Sequence, residues 1–172
     1  KVEFPYTSVS DGDSIRFGNA SIDVIHTPGH TWESTAFKIN HSVIFTGDTL
    51  FVDSVGRPDL KVEENEAAEK AKSLHQSLRK LLSLYPLTIV LPAHTSKPVF
   101  FDGKLIGETI GRVSRNVNVT KLTETQFVEY ALSKLPPTPP NYLAIAGLNR
   151  KGSYDGQQLA ELEAGGNHCA IV

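Results

Sequence analysis

Three short polar loops hold the residues best suited to chemistry. "TPGHT" carries His30, "TGDT" carries Asp48 and "PAHT" carries His94, and each loop directly follows a segment that reads as a β-strand. Two imidazoles and a carboxylate are a donor set for Zn²⁺ or Fe²⁺. A sheet that fixes the loop bases, with Gly and Pro bending the chain beyond, can aim all three into one cleft. Taken singly, each loop has a plainer explanation. "PGH" can be a turn with a surface histidine, "GD" an aspartate capping its own backbone, and His94 a hydrogen-bonded core histidine. The other histidines read as structural: His26 in a strand, His41 at a hairpin tip, His75 on the polar flank of a helix. His168 beside Cys169 could bind metal as a pair, but the segment reads as a disordered terminus.

The elements that must position these residues follow from periodicity. Residues 13–27 alternate, with Ile15 and Phe17 on one face and then Ile22 and Val24, around a two-residue turn at Gly18 and Asn19. A second pair, "TAFKI" and "SVIFT", turns at Asn40 and His41, and its uninterrupted apolar run at 43–45 suits a strand covered on both faces. The period then changes. Ala67, Ala71, Leu74, Leu78, Leu81 and Tyr85 recur at helical spacing over 64–85, opposite Glu66, Glu69, Lys70, Arg79 and Lys80, until Pro86 stops the helix. "TIVLP" at 88–92 reads as another strand, and a helix runs from an N-cap at Thr123 to Leu135. "LPPTPP" is a stiff extended linker, followed by a short helix near 141–149 and a Gly-rich tail. The expected class is α+β, with helices on the outer faces of mixed sheets.

Composition narrows the functions. The 172 residues suffice for one domain with a core. The formal charge of -2, without a block of like charges, gives no support for a nucleic-acid or anionic-membrane partner. No apolar run approaches the roughly 18 residues of a spanning helix. A single cysteine excludes an internal disulfide framework and suits a reducing, cytoplasmic compartment. The chain opens on Lys1 and lacks methionine, which reads as a processed chain or fragment.

"TPGHT" (27–31), "FTGDTLFVDSVGRPDL" (45–60) and "LPAHT" (91–95) resemble, in letters and in order, the metallo-β-lactamase superfamily, and within it the persulfide dioxygenase and glyoxalase II branch. "GRPDL" resembles the dioxygenase form, and the later segments 101–111 and 135–152 also resemble dioxygenase-like members. The resemblance implies part of an αββα sandwich. Residues 1–135 would form the C-terminal portion of that domain and 136–172 a Pro-rich linker, helix and tail. The family's upstream "THxHxDH" loop has no counterpart in residues 1–26, so the N-terminal half of the domain is expected either to have been lost or to lie on another chain, and a homo-oligomer is a further expectation.

On the dioxygenase pattern, the resemblance makes His30 and Asp48 ligands of a single Fe²⁺, with open positions for a thiol-derived persulfide and O₂. On the glyoxalase II pattern, Asp48 bridges two metals, Zn²⁺ being an alternative, and His94 ligates the second for thioester hydrolysis. A third expectation is a non-catalytic fragment or degenerate binding member. Around the ligands, Arg57 and Asp59 are expected to pair and hold the aspartate loop. Thr27, Thr31 and Thr46 could orient ligands or be ordinary strand-end residues. Lys97, Lys104, Arg112 and Arg115 are candidate anchors for a substrate carboxylate. Phe51, Phe100 and Phe101 would line the cleft or fill the core.

Overall fold

The computed structural model describes residues 2–60, 62–100, 102–154, 162 and 168–171. Six strands make one sheet in the order β1 (Ser14–Phe17), β2 (Ala20–His26), β3 (Thr35–Ile39), β4 (Val43–Gly47), β6 (Ile89–Pro92) and β7 (Glu108–Thr109). All neighbours are antiparallel except β4 and β6, which run parallel. A parallel pair needs a crossover, and helix α1 (Glu64–Leu82) supplies it. The turns match their sequence signals: Gly18 takes φ 54° between β1 and β2, and Asn40 takes φ 48° between β3 and β4.

α1 lays its apolar stripe on one sheet face. Ala71, Leu74, Leu78 and Leu81 bury against Ala36, Ile44 and Val90. Helices α2 (Ile110–Asn116) and α3 (Glu124–Ser133) join the same core through Ile110, Val113, Phe127 and Ala131. α3 starts where the sequence placed it, with a reciprocal capping box between Thr123 and Gln126. α1, by contrast, ends three residues early. A following proline disfavours helical backbone at Tyr85, the chain tightens where the Leu84 N–H reaches the Leu81 carbonyl, and Tyr85 is left exposed rather than on the apolar stripe. Lys70, expected on the solvent side, is buried with its Nζ 3.4 Å from the Leu60 carbonyl. His75 bonds the Leu122 carbonyl and tilts against Phe127, tying α1 to α3.

The opposite sheet face is also apolar. Register aligns Ile15, Ile22, Ile39, Val43 and Ile89 in one row and Val24, Phe37, Phe45 and Leu91 in the next. Ile15, Phe17, Phe37 and Phe45 are each more than a third exposed on it. The unbroken apolar run at 43–45 therefore reflects one face covered by α1 and one apolar face left open among the described residues.

The segment after residue 135 does not behave as a free linker. Arg57 bonds the Pro137 carbonyl, Glu3 donates its backbone N–H to the Arg150 carbonyl of α4 (Tyr142–Lys151), and β8 (Ala170–Ile171) pairs antiparallel with β5 (Val55–Gly56). His168 and Cys169, read from sequence as a disordered terminus, are thus held against the aspartate loop. The intervening residues 155–161 and 163–167, like Phe101, lie outside the described part.

The α1 stripe sets the stability of this half-layer. Leu74→Ala is expected to cost about 2–5 kcal/mol, because it leaves a cavity under a fully buried side chain. Urea denaturation of the parent and variant would measure it.

Candidate metal centre

The three sequence-derived loops converge at the C-terminal ends of β2, β4 and β6. The first is pressed onto α1. Gly29 sits at φ 142°, and a Cβ there would stand 2.4 Å from the Leu74 Cα, so only glycine lets the loop approach. Ser77 anchors it by donating to the Pro28 carbonyl at 2.8 Å. The second loop is closed by the Thr46 hydroxyl, which donates to the Leu50 carbonyl at 2.6 Å, and is linked to the first by the buried Thr27 and Thr49 hydroxyls, 3.0 Å apart. Thr31 pairs with Ser34. Thr27, Thr31 and Thr46 thus brace loops, and none of their described hydrogen bonds goes to His30 or Asp48. Gly56 is a requirement the sequence reading overlooked. A Cβ on it would fall 1.8 Å from the Asp48 carbonyl oxygen and 3.3 Å from the His30 Nδ1.

His30 is 8% exposed. Its Nδ1 lies 2.7 Å from the Arg57 carbonyl, which can only accept, so Nδ1 carries the proton and Nε2 presents a lone pair. That Nε2 is 3.7 Å from the Asp48 Oδ2. On its other side, the Asp48 Oδ1 meets the His94 Nδ1 in a close hydrogen bond. Phe51, fully buried, stacks edge-on against the His94 ring at 6.2 Å, and Asp53 holds the following loop through the Ser96 backbone and hydroxyl. Burial holds the His30 pKa below its ordinary 6.5, only partly offset by the negative charge of Asp48. A neutral imidazole with its lone pair aimed at a carboxylate, its other nitrogen tied to a carbonyl, is a ligand prepared for a divalent cation. His30 Nε2 with Asp48, and Asp48 with the His94 Nδ1, are two adjoining donor pairs of the kind that could hold Zn²⁺ or Fe²⁺.

Arg57 and Asp59 make a two-point ion pair, Nε to Oδ1 and Nη2 to Oδ2, both at 2.7 Å. The guanidinium is 1% exposed, and Nη1 also donates to the Pro137 and His168 carbonyls. The same residue thus braces the aspartate loop, aims His30 and fastens the C-terminal segment.

The site opens into a cavity of about 770 Å³. His30, Asp48 and His94 form one wall, α4 contributes Tyr142, Ile145 and Asn149, and Trp32 with Glu66 closes another side through a 2.9 Å bond from the indole N–H. Cys169 lines it too, and its sulfur, the Asp48 carboxylate and a His94 nitrogen lie within 4.8 Å of one another.

The model of the metallo-beta-lactamase superfamily matches residues 1–94, more than half of the chain. The chain belongs to the metallo-beta-lactamase superfamily. It is 38% identical over 88 residues to the mitochondrial persulfide dioxygenase ETHE1 of Homo sapiens, covering 50% of this chain and 32% of that one. To the hydroxyacylglutathione hydrolase of Aeromonas salmonicida it is 36% identical over 115 residues, covering 62% and 42%. The crystal structure of ETHE1 from Myxococcus xanthus superposes with a TM-score of 0.72 at 27% identity, over 87% of this chain and 61% of that chain. The fold is that of the superfamily, in its persulfide dioxygenase and glyoxalase II-like branch, and the chain spans less than half the length of the curated relatives it matches.

Within this metallo-beta-lactamase frame, the expected carboxylate anchors sit away from the cavity wall. Arg112 and Arg115 ride on α2, whose first turn bonds Thr88 and Pro86 at the start of β6, the opposite end of that strand from His94. Arg112 pairs there with Glu108, Lys104 pairs with Asp102, and Lys97 is exposed beyond β6. Among the described lining residues, the lysine or arginine the structure brings to the cavity is Lys70. Its signal was hidden, since helical periodicity put it with the solvated charges. Phe100 is 90% exposed and lines nothing described.

The sign of the His30 shift gives a stability prediction. Its folded pKa lies below the ordinary 6.5, so the unfolded state binds the proton first and metal-free protein should lose stability as pH falls below about 6.5. Thermal melts of metal-free protein between about pH 7 and pH 5 should show the loss, and His30→Gln should flatten it.

Proposed function

We propose that this chain carries part of a metal-dependent active site that oxidises a low-molecular-weight persulfide, of the glutathione persulfide kind, to sulfite with O₂. The carrying observation is the convergence of His30, Asp48 and His94 on one cavity. The iron-dependent, persulfide-oxidising form of the reading is supported by the likeness to the two ETHE1 proteins and by the Arg57–Asp59 pair in "GRPDL". His30 and Asp48 would hold Fe²⁺, and the bound cation would supply Lewis-acid and O₂-binding chemistry. The chain's own residues do the rest. Asp48 supplies negative charge to hold the cation, and the Arg57 carbonyl keeps the His30 proton on Nδ1 and its lone pair on Nε2. The apolar faces of Trp32, Ile145 and Tyr142 exclude water around the sulfur end of the substrate. Overall, R–S–SH, O₂ and water would give R–SH and sulfite.

The open apolar sheet face bears on how the site is completed. We propose that it packs against the preceding half of the same sandwich, which would bring a further histidine ligand; a face with this much exposed apolar area requires cover. A second reading, thioester hydrolysis with Asp48 shared between two cations such as Zn²⁺, is favoured by the close Asp48–His94 contact.

Oxygen uptake by the intact gene product separates the two. Glutathione persulfide should drive O₂ consumption with sulfite formation, and Asp48→Ala should abolish it together with metal binding. Hydrolysis of a hydroxyacylglutathione thioester without O₂ uptake, or stoichiometric metal retained by Asp48→Ala, would count against the dioxygenase reading.

A further inference from the structure

We propose that Lys70 anchors a carboxylate of the substrate, so that the cavity prefers thiol persulfides carrying a carboxylate on a short arm from the sulfur. The assignment rests on the persulfide reading of the site. Among the described lining residues, Lys70 is the only lysine or arginine. It is 3% exposed, and its Nζ lies 3.4 Å from the carbonyl of Leu60, which shares that wall. Position along α1 fixes its relation to the metal ligands. Gly29, the residue before His30, packs on the Leu74 backbone, and Lys70 lies one turn, about 5.4 Å, nearer the helix N-terminus. The His30 pKa is held down first by burial, and the Lys70 charge acts in the same sense, so the ammonium stands within electrostatic reach of that imidazole. Glu66 follows after another turn, exposed and tied to the Trp32 indole at 2.9 Å, with Glu33 next to Trp32 in the chain. The cavity thus presents an ammonium near its buried floor and carboxylates at its rim. An acidic rim disfavours a lone carboxylate and accepts an ammonium. In glutathione persulfide the glycine carboxylate stands on the shorter arm from the sulfur, and the longer γ-glutamyl arm ends in an ammonium beside a carboxylate. With the sulfur at His30 and Asp48, the short arm falls to Lys70 and the long arm to the rim. A carboxylate gains more from a desolvated ammonium than from a surface lysine, because water screens the pair less and α1 already holds the lysine in place.

Calorimetric titration of the intact gene product with glutathione and with its glycyl monoethyl ester tests it, since the ester neutralises that one carboxylate. The parent should bind glutathione about tenfold or more tightly than the ester. Lys70→Met keeps the length and apolar stem of the side chain while removing its charge, so it should fold and bind both compounds alike. In oxygen-uptake assays the same variant should raise KM for glutathione persulfide by a similar factor, with a larger change in KM than in kcat, as expected of an anchor that grips substrate and transition state equally. The comparison of acid and ester in the parent does not depend on how the variant folds. A parent that binds no glutathione, or binds acid and ester equally, overturns the proposal, as does a preference for the acid retained by Lys70→Met. Carboxylate-dependent binding lost in Lys70→Met, in protein that consumes no O₂ with glutathione persulfide, leaves the anchor standing and removes only the dioxygenase reading. Persulfide-driven O₂ uptake with the same KM for acid and ester removes only the anchor.

Discussion

One buried guanidinium organises the site. Arg57 is withdrawn from water almost completely, and a charge so placed is tolerable only when its donors are satisfied. Asp59 takes two of them, and the Pro137 and His168 carbonyls take two more. The main chain of the same residue works on both sides: its carbonyl orients His30 and its N–H holds Cys169. The aspartate loop, the first histidine and the C-terminal segment therefore share one anchor. Lysine could not replace it, since a point charge lacks the planar fork that engages a carboxylate and two carbonyls together.

Around that anchor, the loops are made by close approach rather than by side-chain bulk. Gly29 lets "PGH" touch the α1 backbone, and Gly56 lets the β5 strand touch the Asp48 carbonyl. The sheet beneath supplies rigidity, since β2, β4 and β6 all end at the site. Its two apolar faces explain why β4 and β6 read as near-continuous hydrophobic runs. α1 covers one face, and Ile15, Phe17, Phe37 and Phe45 leave the other apolar and open among the described residues.

The cavity is more acidic than a glutathione-type ligand would suggest. Glu33, Glu66 and Asp48 line it against Lys70, whereas the arginines of α2 face a different end of the sheet. Lys70 is the cation that the described lining brings to the cavity, and its burial on α1 gives it a fixed position that surface lysines lack.

His30, Asp48 and His94 were legible from residue types alone, because Gly and Pro after each apolar run mark a strand end and a strand end marks a fixed loop. The hairpins, the α1 stripe and the Thr123 cap were legible for the same reason: each depends on neighbours a few residues away. The positions of Lys70, Gly56, Cys169 and the Pro137 carbonyl were not. Local periodicity assigns a residue to a face of its own element, but what covers that face depends on segments distant along the chain. Cys169 reaches Asp48 only because β8 pairs with β5 and the Arg57 guanidinium binds the carbonyl before it. Short-range pattern thus singled out His30, Asp48 and His94, and long-range pairing alone brought Cys169 beside Asp48 and His94.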